Sequence, residues 1–313
     1  MNFKANILVE TEGLSKEAWL NYRRMGIGGS DVAAVLGISK WKSELDLWLE
    51  KTGQTDGLVV ENEAMQWGTI MEPVIRDHFA AVTGKRVVEV KAMLQHPQHS
   101  YMLANIDGLT EDDNGNPAIL EVKTASEYKR SEWENGIPVY YETQIQHYLA
   151  VTGVPMAYVA VLIGGNTFKL YEIDADEGVQ RNLITLEGQF WIMVQNNIRP
   201  DIGGSDAAAE WLSKTYKGGI SEPLTLPQEA LGFIDEYVAA AAEEDSAKAR
   251  KQAAANHLKE MLGDHEKGQI EGHTVGWKPV TSERLDTTAL KAKEPEIVKK
   301  YTKATTSRRF TVR

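Results

Sequence analysis

Apolar residues along the first two hundred positions keep mostly to helical spacing, broken by short stretches where they cluster between turn residues. Ser15 to Met25 reads as a helix with Ser15 as N-cap and Gly26 beyond its end. The loop Gly26-Ile27-Gly28-Gly29-Ser30-Asp31 feeds a short helix, Asp31 to Leu36, with Ser30 as its natural cap. A further helix runs from Glu44 to Thr52, capped by Ser43 and stopped by Gly53. From Glu63 to Thr83 the apolar residues hold helical periodicity, and Pro73 predicts a kink or a restart near Met71-Glu72. Strands are expected at Arg86–Leu94, Tyr101–Leu109 and Ala118–Thr124, then a helix over Val139–Thr152. Met156–Ile163 and Thr167–Ile173 read as strands joined by the hairpin signal Gly164-Gly165-Asn166, and a helix from Ala175 to Asn197 follows.

This order predicts an α/β core over residues 1–200, a mixed central sheet flanked by helices. Pro200-Asp201-Ile202-Gly203-Gly204-Ser205 marks the expected boundary with a C-terminal extension over residues 201–313. Within it, the Ala/Glu/Lys-rich run Pro227 to Leu262 favours a long helix or helical hairpin, its fading apolar stripe suiting a solvent-reaching arm. Gln269–Lys278 and Arg309–Arg313 read as strands that could pair and tie down a small terminal subdomain.

Composition narrows the chemistry. Cysteine is absent, which excludes disulfides, thiolate zinc sites and cysteine-ligated iron–sulfur clusters. The N-terminal residues lack the apolar run of a signal peptide and no segment nears the length of a membrane span, so a cytoplasmic protein is expected. The net charge of −11 is unevenly spread: residues 277–313 carry ten Lys/Arg and four Asp/Glu, a local +6 that leaves −17 on residues 1–276. An acidic body suits a metal site, and a basic tail can meet phosphates or simply be a solvated surface.

The chemistry concentrates at one expected hairpin. Glu121 and Lys123 lie two residues apart on a strand, so their side chains share a face while Val122 points the other way. Asp107 closes the preceding apolar stretch, and Asn114-Gly115 stands at the tip of the intervening turn. Antiparallel pairing would bring Asp107 near Glu121. Two carboxylates and a lysine at one sheet edge suit a Mg²⁺ site with a water-orienting cation, the equipment of phosphodiester hydrolysis. Elsewhere His96 and His99 flank Pro97-Gln98 without partner ligands and read as loop residues. Gly28-Gly29-Ser30 lacks the lysine of a phosphate-binding P-loop. Trp41, Trp48, Trp133 and Trp211 could stack on bases or pack, and none is assigned.

A helix acid, an aspartate, a hairpin, Glu-x-Lys and an amphipathic helix, in that order, resemble the PD-(D/E)xK nuclease signature, with Ile106-Asp107 where proline-aspartate would stand. The run Trp19 to Asp31, with Gly28-Gly29-Ser30-Asp31 at its end, resembles the opening motif of the YqaJ-like viral recombinases, relatives of phage lambda exonuclease. Trp67-Gly68 with Glu72, Asn105-Ile106-Asp107-Gly108, Leu120-Glu121-Val122-Lys123 and Gln144-Ile145-Gln146-His147-Tyr148 match that family's further motifs in order. The stretches Thr281 to Asp286 and Thr306 to Phe310 are similar to tails of phage-encoded members.

The resemblance implies a restriction-endonuclease-like core and a Mg²⁺-dependent (or Mn²⁺-dependent) exonuclease that digests duplex DNA 5′ to 3′ into 5′-mononucleotides. Asp107, Glu121, the Val122 carbonyl and Glu72 would serve the metals, and Lys123 would orient or deprotonate the attacking water. Gln144 would face the site in preference to Gln146, while Ser30, Arg23 and Lys40 would grip a 5′-phosphate. A phage single-strand annealing protein as partner and a ring-shaped homotrimer are implied as well. Two rivals stand beside this reading: an endonuclease on branched or flapped DNA with the same metal site, and a non-catalytic DNA-binding scaffold working through its C-terminal arm.

Overall fold

The computed structural model describes residues 3–55, 63–283, 285–303 and 308–312. Arg284, Thr306 and Ser307 of the tail motifs and Arg313 of the expected last strand lie outside them. Two compact units divide after Leu212.

In the first unit, β1 (Asn6–Glu10) and α1 (Lys16–Arg24) lead into the two-residue β2 (Ile27–Gly28) and α2 (Gly29–Val35). α3 (Glu44–Lys51) and α4 (Glu63–Thr83) follow, then β3 (Ala92–Gln95), β4 (Met102–Ala104), β5 (Gly108–Glu111) and β6 (Pro117–Ala125). A 3₁₀ turn over Glu127–Trp133 precedes α5 (Val139–Thr152), β7 (Met156–Ile163), β8 (Thr167–Asp174) and α6 (Glu177–Gln195), and the division falls within α7 (Asp206–Thr215).

The expected central sheet is two four-stranded sheets, ordered β1-β3-β4-β2 and β5-β6-β7-β8. The stretch read as one strand from Tyr101 to Leu109 breaks at Asn105–Asp107 and supplies a strand to each sheet. Over Arg86–Leu94 only β3 and an isolated Val88–Leu109 bridge form. Helix α4 runs through Pro73 as one helix, so of the two expected outcomes the restart does not occur.

Strand β6 pairs antiparallel with β5 and parallel with β7, so neither edge is open, and residues 118–122 are buried under elements packed on its two faces. Its alternation divides the core: Ala118, Leu120 and Val122 meet Ile75 and Phe79 of α4, while Ile119 joins the cluster containing Ile145 and Leu149 of α5. Glu121 and Lys123 share the Ile119 face, which places these polar groups under α5 instead of at an open surface.

The second unit holds α8 (Ala230–Leu262), one continuous 33-residue helix, the hairpin β9 (Lys267–Ile270) with β10 (His273–Gly276), and the short helices α9 (Thr287–Lys293) and α10 (Pro295–Tyr301). The expected pairing of Gln269–Lys278 with Arg309–Arg313 does not form among the described residues. Glu271-Gly272 instead turns with both φ positive and lets the segment pair with itself.

Candidate active site

The β5–β6 register pairs Gly108 with Leu120, which sets Asp107 just beyond the ladder, level with Glu121. Asp107 Oδ2 accepts the Val122 N–H at 2.8 Å, fixing the carboxylate against the strand that bears Glu121. Glu121 is 2% exposed; its Oε1 accepts from Lys123 Nζ at 2.5 Å and from Gln144 Nε2 at 2.8 Å. Its Oε2 is buried without a partner. Glu72 reaches the same region from α4, with Arg76 Nη1 3.5 Å from its Oε1 and the same nitrogen 3.3 Å from the Asp107 carbonyl. Asp107, Glu121, Val122, Lys123, Glu72 and Gln144 are therefore brought together from β6, α4, α5 and one bend.

Their electrostatics are those of an under-compensated acidic centre. Burial, then the Asp107 charge, pushes the Glu121 carboxyl up to about 8. The same two causes raise Glu72 to about 7. Burial also raises Asp107, against Lys123 and the Val122 N–H. Burial alone would depress Lys123, but Glu121 and Asp107 together overcome it, so its pKa is raised and the ammonium stays protonated.

Such a site fits a hard divalent cation: every donor is oxygen, and a desolvated carboxylate oxygen lacks a partner. Among the described residues no three Asp, Glu or His side chains converge closely enough to hold an ion by themselves. A main-chain oxygen such as the Val122 carbonyl, or water, would complete the set.

A second cluster surrounds Asp31. Helix α2 begins at Gly29 with Gly28 as N-cap, and Asp31 Oδ2 takes the Gly28 N–H at 3.1 Å. Ser30 is thus released from the capping role expected of it and lies exposed, its Oγ accepting from Arg23 Nη2 at 2.9 Å. The buried Asp31 carboxylate is ringed by Arg23 at 2.9 Å, Lys51 at 2.8 Å and Lys42 at 3.5 Å. Burial opposes its ionisation, but these cations hold its pKa well below the usual range.

Lys40 is not among those cations. Its ammonium sits 3.0 Å from Glu132 and over the Tyr140 ring, and Lys42, two residues on, takes the place at Asp31. Sequence reasoning also missed Lys51 and Asp31, and Tyr141, whose ring lies against the Lys123 ammonium. Lys51 was traceable in principle, because it continues the apolar face of α3 set by Leu47 and Trp48.

Helix α5 joins the two clusters. Gln144 Nε2, which serves Glu121, also donates to Tyr148 Oη at 3.0 Å. Tyr148 lies so close to Gly29 that a Cβ there would stand 2.7 Å from its Cζ and 3.0 Å from Gln144 Cγ. Gln146 turns away to the Asp174 carbonyl. His147, fully buried, bridges Glu187 at 2.9 Å and the Leu103 carbonyl at 2.8 Å, tying α5 to α6 and β4.

The YqaJ-like viral recombinase domain model matches residues 18–155, which contain both clusters. Uncharacterized protein YqaJ of Bacillus subtilis (strain 168) is 37% identical over 99% of this chain and 98% of its own length. Protein D345L of African swine fever virus is 29% identical, the match spanning 44% of this chain and 45% of that protein. Among solved structures, the alkaline exonuclease LHK-Exo of Laribacter hongkongensis superposes with a TM-score of 0.51 at 25% identity, covering 58% of this chain and 94% of that one.

Proposed function

The chain belongs to the YqaJ-like viral recombinase family, and from that premise we propose that it is a metal-dependent DNA exonuclease working on duplex ends in phage-type recombination. Its core has the restriction-endonuclease-like fold, and the similar solved structure is named an alkaline exonuclease. The observation that carries the reading is the unpartnered Glu121 Oε2 inside a cluster of carboxylates with raised pKa values.

Asp107, Glu121 and the Val122 carbonyl, assisted by Glu72, would hold Mg²⁺ or Mn²⁺, which when bound stabilises charge on the phosphate and the departing oxygen. Lys123, kept protonated by its neighbours, donates a hydrogen bond that orients the attacking water and does not abstract its proton. Gln144 holds Glu121 in place. Arg23 and Ser30 grip a terminal 5′-phosphate, with Asp31 fixing the guanidinium. This end recognition favours 5′-to-3′ digestion to 5′-mononucleotides, with Lys40 outside the phosphate grip.

A closed homotrimer would let an acidic subunit stay on DNA by topology; a monomeric mass by light scattering under working conditions would remove that element. We also propose a single-strand annealing protein as partner and the host cytoplasm as the place of action. Among the described residues no helix is long and apolar enough to cross a membrane.

The test is digestion of linear duplexes bearing 5′-phosphate, 5′-hydroxyl or blocked ends, with covalently closed circles alongside, in Mg²⁺ and in EDTA. Degradation of phosphorylated linear ends in Mg²⁺ alone is expected. Equal cutting of closed circles would point to an endonuclease, and no cutting anywhere to a scaffold.

A further inference from the structure

Trp41 is 66% exposed, whereas Trp48 and Trp133 are buried. It is nonetheless held firmly. Ser39 Oγ accepts the N–H groups of both Trp41 and Lys42, at 3.2 and 3.1 Å, which fixes the loop leaving α2. The indole meets Tyr140 edge-on at 5.0 Å, and Tyr140 Oη is anchored on Glu132, which also takes Lys40 and Lys129.

The position matters more than the exposure. Tyr141 lies 6.4 Å from the Trp41 ring and carries the Lys123 ammonium 5.0 Å from its own centroid, with Trp133 stacked behind it at 5.5 Å. On the other side, Lys42 reaches the Asp31 carboxylate. The exposed indole is thus tied to the acidic centre through Tyr141 and to the cationic cluster through the next residue of its loop. It borders an open recess of about 560 Å³ lined also by Lys40, Lys42, Glu44, Asp46, Ser205 and Asp206.

We propose that Trp41 is a nucleobase-stacking residue, and that its ligand is an unpaired base of the DNA strand near the scissile phosphate. A solvent-facing aromatic seated on Tyr140 offers what single-stranded nucleic acid takes up, a flat face for any base, with Lys40 and Lys42, paired to Glu132 and Glu50, next to it in the chain. The proposal rests on the nuclease reading. It adds a contact that holds the melted strand while the phosphates are gripped on either side.

The experiment measures affinity of the full chain for a short oligothymidylate and for its abasic counterpart, in Ca²⁺ to suppress turnover, beside Mg²⁺ cleavage assays. Trp41→Ala should weaken binding of the base-bearing strand about tenfold, and Trp41→Phe should stay within about threefold of the parent. On the abasic strand the parent and Trp41→Ala should bind alike. The proposal is overturned if Trp41→Ala binds oligothymidylate as the parent does, or if it weakens both strands equally, which would assign Trp41 to backbone contact or to a protein surface. A parent chain that neither binds nor cleaves DNA overturns the nuclease reading along with this one. Cleavage with undiminished Trp41→Ala binding overturns this proposal alone.

Discussion

The centre around Asp107 and Glu121 and the cluster around Asp31 are both assembled from buried charges, but their balances have opposite sign. At the first, Asp107, Glu121 and Glu72 share Lys123 and a peripheral Arg76, and the carboxyl pKa values are raised. At the second, Arg23, Lys42 and Lys51 meet Asp31, whose pKa is depressed, and Glu50, 2.6 Å from Lys42, so three cations still outnumber two carboxylates. Burying charge without compensation is costly, so a residual imbalance marks where a counter-charge from outside belongs. By that logic the first site suits a cation and the second an anion, and under the proposed function a DNA end with its metal would supply both.

The comparison breaks hardest at the acidic centre. Asp107→Asn or Glu121→Gln should lower the cleavage rate about 10³-fold, read in single-turnover digestion, because either removes an anionic oxygen donor from the proposed metal site. Retained activity in both variants would end the metal assignment. At the cationic cluster, Arg23→Ala should reduce the preference for 5′-phosphorylated over 5′-hydroxyl ends by about 10- to 100-fold, the range expected for a lost charged hydrogen bond. An unchanged ratio would separate this cluster from end recognition.

The link between the regions is open to a steric test. Gly29→Ala would drive a methyl group into Tyr148 and Gln144, an overpacking cost of about 1–3 kcal/mol. Thermal unfolding should then fall by several degrees, at about 2–4 °C per kcal/mol for a domain of this size, together with a slower cleavage step.

The smallest effect sharpens the sign of the imbalance. Glu121 and Glu72 titrate near 8 and 7 in the folded chain, above the ordinary 4.5. Their protonated forms favour folding, so this contribution is whole below about pH 4.5 and is lost progressively as pH rises from there through about 7 to 8. Metal-free protein should therefore lose a few degrees of melting temperature across this range, and Glu121→Gln, which cannot ionise, should flatten the decline. Mg²⁺ should restore more stability at about pH 9 than at about pH 6.

Legibility from sequence followed the range of the interactions. Ser15 and Ser43 cap their helices as their local patterns require. Asp107 and Glu121 could be matched because the turn between them, with Asn114-Gly115, dictates antiparallel pairing over a short separation. Ser30 misled, since its neighbour Asp31 binds the N-cap N–H and the helix starts earlier. Lys40 and Lys42 stand on one irregular loop, where no periodicity tells which ammonium turns to Asp31.

By itself the sequence determined the local elements, the order of the motifs and the identity of the reactive groups, because caps, turns and strand alternation act over a few residues. Tertiary structure alone decided that β4 and β5 belong to different sheets, that α5 covers Glu121 and joins it to Gly29, and that Lys51 is buried on Asp31. Those outcomes depend on desolvation and on contacts between segments far apart in the chain, where burial and neighbouring charge set the protonation of each group.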